Sequence, residues 1–310
     1  MSDFYVYSFY RFKNIKNKKT IKLKLDQFVG NKVIKGTIII ANEGVNGSIS
    51  GSKEDLSNIV RFIKKLLCIK KMELKINSVD FLPFNKFKVR LKKEIVSLGK
   101  GMITFSQKTN KFIEPDKWDS FIKQKKIKLI DLRNTYEINI GHFRSAINPR
   151  TKNFREFPNE FKKMKINKDD TVALYCTGGI RCEKAAGYLD KKGYKNIFQL
   201  KGGIINYLSH SKSKIIKSKW KGECFVFDKR VAINSKLEKG SYEQCYGCRR
   251  PITKKDLVSK HYIKGVSCPY CINERSTKQI EKSKQRQMQI DLINQNKNII
   301  KDFKLTKIKD

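Results

Sequence analysis

The chain of 310 residues predicts an α/β protein built around a parallel sheet with helices on both faces. Between residues 112 and 218, apolar runs rich in strand formers alternate with segments of helical periodicity, the pattern of such a sheet. A β-α-β-β-α-β pattern precedes this region, in residues 1–100. Paired Cys-x-x-Cys motifs follow it, in residues 219–275, and a basic tail occupies residues 276–310.

The N-terminal pattern predicts a ferredoxin-like α+β domain. Ser52, followed by Glu54 and Asp55, is a typical start for its second helix. The predicted strands cover residues 4–9, 36–40, 48–50 and 72–79, and the predicted helices cover 20–29 and 53–68. The run Ala-Asn-Glu-Gly-Val-Asn-Gly at residues 41–47 forms the central connection. Turn chemistry alone explains it, and contact with RNA is an equally good interpretation.

A strand is predicted from Phe87, because apolar and basic residues alternate there. One face would join the core, and the other would carry basic side chains. These are Lys88, Arg90, Lys92 and Lys93. A basic strand face can lie along phosphates, whereas lysines also protect ordinary edge strands. We favour contact with RNA.

The central region is predicted to begin with a helix at Pro115. In open parallel sheets the ligand site lies at the carboxyl ends of the strands, and Cys176 falls at such an end. The loop at residues 148–158 carries Arg150 and Arg155, which could reach toward the cysteine. A solvated surface position explains either arginine equally well.

Residues 176–182 read Cys-Thr-Gly-Gly-Ile-Arg-Cys and connect a predicted strand to a predicted helix. Loop amides from Thr177, Gly178, Gly179 and Ile180, the helix N-terminus and the charge of Arg181 would favour a thiolate at Cys176. Gly178 and Gly179 would permit the tight curvature. The alternative is a buried core cysteine. Four residues separate Cys176 from Arg181, one fewer than in cysteine phosphatase loops, which favours a smaller adduct such as a persulfide.

The surrounding sequence resembles a rhodanese domain. Leu-Ile-Asp-Leu-Arg at residues 129–133, Glu137, Gly-His-Phe at 141–143 and Phe-Gln-Leu-Lys-Gly-Gly-Ile at 198–204 follow that family's pattern. Ser145 stands where the family usually has glycine. We interpret Asp131, Arg133 and Glu137 as structural, with a buried Asp-Arg pair tying the strand end to a loop.

A narrower resemblance covers roughly residues 1–275. Tyr-Cys-Thr-Gly-Gly-Ile-Arg-Cys-Glu-Lys at 175–184 is similar to the hallmark of the bacterial rhodanese-domain tRNA uridine hydroxylases. The stretches at 41–47, 87–99 and 154–158 agree with that family. The resemblance implies oxygen-dependent 5-hydroxylation of the wobble uridine, position 34 of tRNA. A persulfide-forming sulfurtransferase and a non-enzymatic RNA-binding module are the alternatives, and the intact Cys176 and Arg181 weigh against the latter.

The chemistry of the cysteines leaves two hypotheses open. The Cys176 thiolate could add to C6 of the uracil ring and activate C5, or an oxidised Cys176 could deliver the oxygen. Cys182 could resolve such a species as a disulfide, or it could simply pack in the helix. No flavin, haem or nicotinamide motif is evident, and His142, His210 and His261 form no obvious iron site.

The net charge of +40 indicates a polyanionic partner, which the resemblance makes tRNA; no DNA partner is expected. Part of this excess fits the Lys/Asn/Ile-rich composition that an AT-rich genome produces. The cysteine spacing suits a reducing compartment, and the sequence has neither a signal peptide nor a membrane-length apolar run. We therefore expect a cytoplasmic protein without a membrane partner; its oligomeric state stays open.

Four cysteines have the spacing of a zinc ribbon, with nineteen residues between the two pairs. They are Cys245, Cys248, Cys268 and Cys271. We predict that they bind a structural zinc ion, the alternative being metal-free thiols or a redox pair. For the Lys/Gln/Asn-rich tail we slightly favour a solvated segment over a helix.

Overall fold

The computed structural model describes residues 4–101, 103, 111–214 and 218–306. It divides into two compact units, Met1–Gly240 and Ser241–Asp310. The first unit contains an N-terminal domain and a parallel-sheet domain, and the second contains the four clustered cysteines. No helix within the described ranges combines the length and apolar character needed to cross a bilayer.

The N-terminal domain has the predicted ferredoxin-like order with one strand added. Its elements are β1 (Phe4–Phe12), α1 (Lys18–Val29), β2 (Lys35–Ala41), β3 (Gly44–Gly51), α2 (Lys53–Leu66), β4 (Glu73–Val79) and β5 (Phe87–Leu91). The sheet order is β4-β1-β3-β2-β5. The first four strands pair antiparallel, and β5 joins the edge parallel to β2.

The two helices of this domain cover one face of its sheet. The Oγ of Ser52 accepts a hydrogen bond from the N–H of Asp55 at 3.1 Å, which caps α2 as predicted. Leu56, Ile59 and Ile63 of α2 are fully buried and belong to the same core cluster as Ile38 and Ile49 of the sheet. The opposite face of the sheet is largely polar and forms part of the site described below.

The parallel-sheet domain also matches the prediction, because helices cover both faces. Its elements are β6 (Lys111–Ile113), α3 (Pro115–Phe121), β7 (Ile127–Asp131), α4 (Thr135–Ile138), β8 (Gly141–Phe143), α5 (Phe157–Lys163), β9 (Thr171–Tyr175), α6 (Ile180–Asp190), β10 (Ile197–Leu200) and α7 (Gly203–Lys214). Four strands form a parallel sheet in the order β6-β10-β9-β7. Along β9, Val172 and Leu174 share a core cluster with α5 and α6, whereas Ala173 and Tyr175 share one with α3 and α7. This alternation is the period of a strand buried on both faces.

Three short strands follow: β11 (Trp220–Gly222), β12 (Cys224–Phe225) and β13 (Ala232–Ile233). Strand β11 pairs with β8, and the Trp220 ring packs edge-on against Phe143 with centroids 5.3 Å apart. This pairing assigns residues 219–240 to the first unit. The compact unit that holds the clustered cysteines therefore begins at Ser241, and not at residue 219 as the sequence suggested.

The second unit contains β14 (Glu243–Gln244), β15 (Pro251–Ile252), α8 (Lys254–Leu257) and α9 (Thr277–Thr306). The sequence slightly favours a solvated tail after residue 276, but the structure has a helix there. Good helix formers such as Lys and Gln fill this segment, and neither Gly nor Pro interrupts it. Arg286 anchors it by donating a hydrogen bond to the carbonyl oxygen of Gly265 at 2.7 Å.

Candidate active site around Cys176

Cys176 lies at the carboxyl end of β9, where the sequence places it. Its carbonyl oxygen accepts a hydrogen bond from the N–H of Ile204 at 3.0 Å. The start of α7 therefore holds the first residue of the loop in place. Gly203 makes this approach possible. It has φ +68°, and a Cβ at this position would lie 2.5 Å from that same carbonyl oxygen. The Cys176 side chain is buried.

The loop folds its amides toward the sulfur. The Sγ of Cys176 accepts a hydrogen bond from the N–H of Gly179 at 3.1 Å. Gly179 has φ +98°, a conformation that residues with a Cβ rarely adopt. Gly178 has no such requirement, since no atom in the described part of the chain lies within 4 Å of a Cβ built there. The prediction that both glycines permit the curvature therefore holds for Gly179 and is wrong for Gly178.

The surroundings of Cys176 favour the thiolate. Burial, the largest single effect, raises the pKa of Cys176, but it is outweighed by several smaller effects. These are a hydrogen bond from the Cys182 thiol, the charge of Arg181, and the N–H groups of Cys182 and Gly179. Together they lower the pKa of Cys176 to about 6. Burial and the neighbouring Cys176 raise the pKa of Cys182, so Cys182 remains the protonated donor of the pair.

Arg181 is held in place by Glu137. Its Nη1 and Nη2 donate to the two carboxylate oxygens of Glu137, at 2.9 and 3.0 Å. Glu137 also accepts from the N–H of Asn134, which is the N-cap residue of α4. This geometry supports the structural interpretation of Glu137, because the carboxylate orients the guanidinium. Asp131 and Arg133 form the expected buried pair, at 2.6 Å.

Cys176 opens onto a cavity of about 500 Å³. Cys176, Thr177, Gly178, Ile180 and Arg181 of the loop form one wall. The opposite wall is the face of the N-terminal sheet that the helices do not cover. It contributes Tyr10, Thr37, Asn46, Ser48, Lys75 and Asn77. The Nζ of Lys75 donates to the carbonyl oxygen of Gly178 at 2.7 Å, which ties the two walls together. The site is thus a chamber shared by two domains.

A buried ion cluster joins the same domains beside the cavity, and sequence reasoning did not find it. The Nζ of Lys184, on α6, lies 2.8 Å from both carboxylate oxygens of Glu43 and 3.0 Å from Glu94. Glu43 belongs to the 41–47 run, for which turn chemistry and RNA contact were the two interpretations. Turn chemistry alone does not describe this run, since Glu43 pairs across domains and Asn46 lines the cavity.

The predicted basic residues of β5 lie on the side of the sheet that faces the chamber. Lys88 and Arg90 of β5 are exposed and stand opposite Thr37 and Ile39 of β2, which line the cavity. They therefore share the cavity-facing side of the sheet. Lys92 and Lys93 are exposed just beyond the strand.

The loop arginines are both exposed. Arg155 borders a separate groove together with Arg181. Neither Arg150 nor Arg155 is among the described residues that line the Cys176 cavity.

In the second unit, the four predicted cysteines converge. Their sulfur atoms all lie within 4.8 Å of one another. Cys268 Sγ is 3.8 Å from that of Cys248 and 3.7 Å from that of Cys271. Tetrahedral zinc with Zn–S bonds of about 2.3 Å separates its sulfurs by about 3.8 Å. The donor set therefore fits a metal ion such as zinc, held by Cys245, Cys248, Cys268 and Cys271.

Comparisons with known proteins agree with this architecture. Residues 4–95 match the model of the UPF0176 acylphosphatase-like domain, and residues 114–210 match that of the rhodanese-like domain. The tRNA uridine(34) hydroxylase of Pelagibacter ubique (strain HTCC1062) is 46% identical over 290 residues, which cover 93% of this chain and 95% of the relative.

Two solved structures are similar to part of this chain. A rhodanese-like domain from Anabaena sp. is 18% identical, over 36% of this chain and 77% of that one, with a TM-score of 0.29. A rhodanese-related protein from Thermoplasma volcanium is 24% identical, over 32% of this chain and 92% of that one, with a TM-score of 0.27.

Fold and site together define a two-domain rhodanese-type protein with an activated cysteine at the domain boundary. Within that class, the identity and coverage are decisive: the chain belongs to the tRNA uridine(34) hydroxylase family.

Proposed function

We propose that this protein is an oxygen-dependent tRNA hydroxylase that installs a 5-hydroxyl group on the wobble uridine. The observation that carries the proposal is the chamber in which Cys176 faces the polar wall of the N-terminal sheet. Its volume of about 500 Å³ lies within the range of small-ligand sites and can admit one extruded nucleobase. A relative of 46% identity carries the name of this activity.

In this proposal Cys176 is the reacting group and Arg181 stabilises its charge. A cysteine thiol whose pKa is about 6 is mostly ionised to the thiolate at neutral pH. It can form a bond to C6 of uracil, which moves negative charge onto C5 and the 4-oxygen. Molecular oxygen is the oxidant. One of its atoms enters the base at C5, and the other leaves as water with two electrons from a reductant and two protons. Loss of the C5 proton then breaks the bond between C6 and sulfur, which restores the double bond of the base and the Cys176 thiolate.

The substrate would reach this site along a basic surface. Lys88 and Arg90 lie on the side of the sheet that faces the chamber, and Lys92 and Lys93 extend the same charge. Together with the net charge of +40, these side chains suit the phosphates of a tRNA in the cytoplasm. Arg150 and Arg155 would contact the RNA outside the chamber.

The experiment that tests this function is nucleoside mass spectrometry of tRNA incubated with the purified protein and a reductant. Parallel samples are kept in air and without oxygen. We expect uridine to gain one oxygen atom in air only. A gain of sulfur on the tRNA would instead assign a sulfurtransferase. So would unmodified tRNA together with transfer of sulfur from thiosulfate to cyanide by the protein.

A further inference from the structure

The segment from Phe227 to Arg230 lines the Cys176 chamber, although it lies outside both matched domain regions. It follows β12 and is held near the N-terminal domain, since the N–H of Lys229 donates to the carbonyl oxygen of Pro83 at 3.1 Å. Two of its side chains have features that the fold itself does not explain.

Phe227 is an aromatic residue at the chamber with 60% of its surface exposed. Its ring packs edge-on against Phe225, with centroids 5.0 Å apart, which fixes its position from behind. The Arg181 guanidinium lies 5.7 Å from the ring centroid. An exposed ring beside the reactive loop offers a stacking surface, and every nucleobase has a face that can use it.

Arg230 is buried, with only 4% of its side chain exposed. Its Nε and Nη2 donate to the two carboxylate oxygens of Asp228, at 2.9 and 2.6 Å. The third nitrogen, Nη1, is enclosed and has no hydrogen-bond partner within the part of the chain that the structure describes. A buried donor without a partner costs free energy, so an acceptor on a bound substrate would stabilise it.

The charge balance indicates what this acceptor is. Asp228 already neutralises the Arg230 guanidinium through a bidentate pair. Arg230 lines the chamber, and its free N–H is therefore a donor with little net charge behind it. Such a donor suits a neutral carbonyl oxygen better than a phosphate. Uracil presents its 4-oxygen as an acceptor where cytosine presents an amino group.

We infer that Phe227 and Arg230 form the base-recognition element of this enzyme. Phe227 stacks on the extruded base, and Arg230 Nη1 donates to the 4-oxygen of uracil after a small shift of the cavity wall. The inference rests on the proposed function for the identity of the base. It assigns Phe227 to affinity and Arg230 to the choice between uracil and cytosine.

The test measures binding without turnover. Anticodon stem-loop RNAs with uridine or cytidine at the wobble position are titrated in the absence of oxygen, and their dissociation constants are compared. Phe227→Ala should weaken binding of both RNAs by about five- to a hundredfold, because stacking tolerates any base. Phe227→Tyr should restore it. The control Leu23→Ala removes a similarly exposed side chain, 62% exposed, and should change neither constant.

The role of Arg230 is tested with the single variant Arg230→Gln and with the double variant Asp228→Asn/Arg230→Gln. The double variant leaves no unpaired carboxylate at position 228. Preference for the uridine RNA should fall by about tenfold or more in the folded variants. An unchanged preference, or an equal loss for both RNAs with a smaller salt dependence, would overturn the assignment; the latter indicates a phosphate contact. Because oxygen is absent, these results do not depend on whether hydroxylation occurs.

Discussion

Lys184 and Glu43 form a buried ion pair across the two domains of the first unit, with Nζ 2.8 Å from each carboxylate oxygen. Lys184 is fully buried, and Glu94 and the carbonyl oxygen of Val96 complete its surroundings. Every N–H of the ammonium thus has an acceptor. The pair holds helix α6, which carries Arg181 and Cys182, against the N-terminal sheet that forms the other wall of the chamber.

Removing Lys184 should therefore destabilise the first unit strongly. Lys184→Met leaves the buried Glu43 and the partly buried Glu94 without a counter-charge. We expect a loss of about 3–5 kcal/mol in the free energy of unfolding measured with urea. Lys195→Met is the control, because its pair with Asp169 is exposed (78% and 86%); it should change stability by less than about 1 kcal/mol. Equal effects of the two substitutions would contradict the role given to Lys184.

The Cys176 thiol should titrate near pH 6. Its thiolate reacts with iodoacetamide, so the alkylation rate should rise with pH and reach half its maximum close to that value. Cys182→Ala removes a donor to the thiolate and should move the midpoint to higher pH. Cys182→Ser keeps an O–H donor and should move it less. A midpoint that stays in place in Cys182→Ala would show that this hydrogen bond does not stabilise the thiolate.

The same group links stability to pH. The folded-state pKa of Cys176 is lowered below its ordinary value, so the unfolded chain binds more protons between about pH 6 and the pKa of a free thiol, about 8.5. This contribution to stability is fully present above the pKa of the free thiol. It is lost as the pH falls through the folded-state pKa of Cys176, about 6. Cys176→Ser should abolish it. The check compares urea unfolding of both proteins across that window, and parallel profiles would contradict the prediction.

The two loop glycines should differ. Gly179→Ala places a Cβ at φ +98°, 3.1 Å from the Tyr10 hydroxyl, and should displace the N–H that contacts Cys176. We expect a higher pKa of Cys176 in the alkylation profile. Gly178→Ala enters open space and should leave that pKa unchanged. Similar profiles for the two variants would show that the conformation of Gly179 is not required.

Metal content tests the cysteine cluster. We expect about one zinc ion per chain by elemental mass spectrometry, because four converging thiolates match a structural site. Cys248→Ser should lose the metal, whereas Cys68→Ser, which alters an exposed cysteine, should keep it. Purified protein that contains no metal would favour the reduced, metal-free thiols.

The basic edge strand should contribute to RNA affinity. Replacing Lys88 and Arg90 with glutamine removes two charges, and the slope of log K against log salt should become less steep by about one to two. The matched change at Lys162 and Lys163, exposed on α5, should leave the slope nearly unchanged. Equal changes in the two pairs of variants would mean that binding follows net charge and not this strand.

The features that could be predicted from the sequence are local ones. Cys176, Gly179 and Arg181 lie within a few residues between a strand and a helix, so their spacing already implies the amide-lined loop. The cysteine pairs are recognisable because zinc ligands require a fixed spacing. The order of the first four strands follows from the alternation of periodic segments.

The shared chamber could not be predicted in the same way. Glu43 and Lys184 are separated by 141 residues, and only the packing of one domain on another brings them together. Tyr10, Lys75 and Arg230 reach the cavity for the same reason. A buried charged residue has no sequence signal of its own, because a buried lysine or glutamate cannot be told from an exposed one by sequence alone. The alternation of basic and apolar residues predicted the basic strand, but the sequence could not show that its basic face lies on the side of the sheet that faces the chamber.

Isotope labelling shows whether the Cys176 thiolate carries out hydroxylation in this chamber. Wild-type protein and Cys176→Ser are each incubated with tRNA under ¹⁸O₂, and the nucleosides are analysed by mass spectrometry, with tRNA binding measured in parallel. We predict labelled 5-hydroxyuridine from the wild type, none from Cys176→Ser, and equal tRNA affinity for both. Undiminished labelling by Cys176→Ser would show that the Cys176 thiolate is not the reacting group.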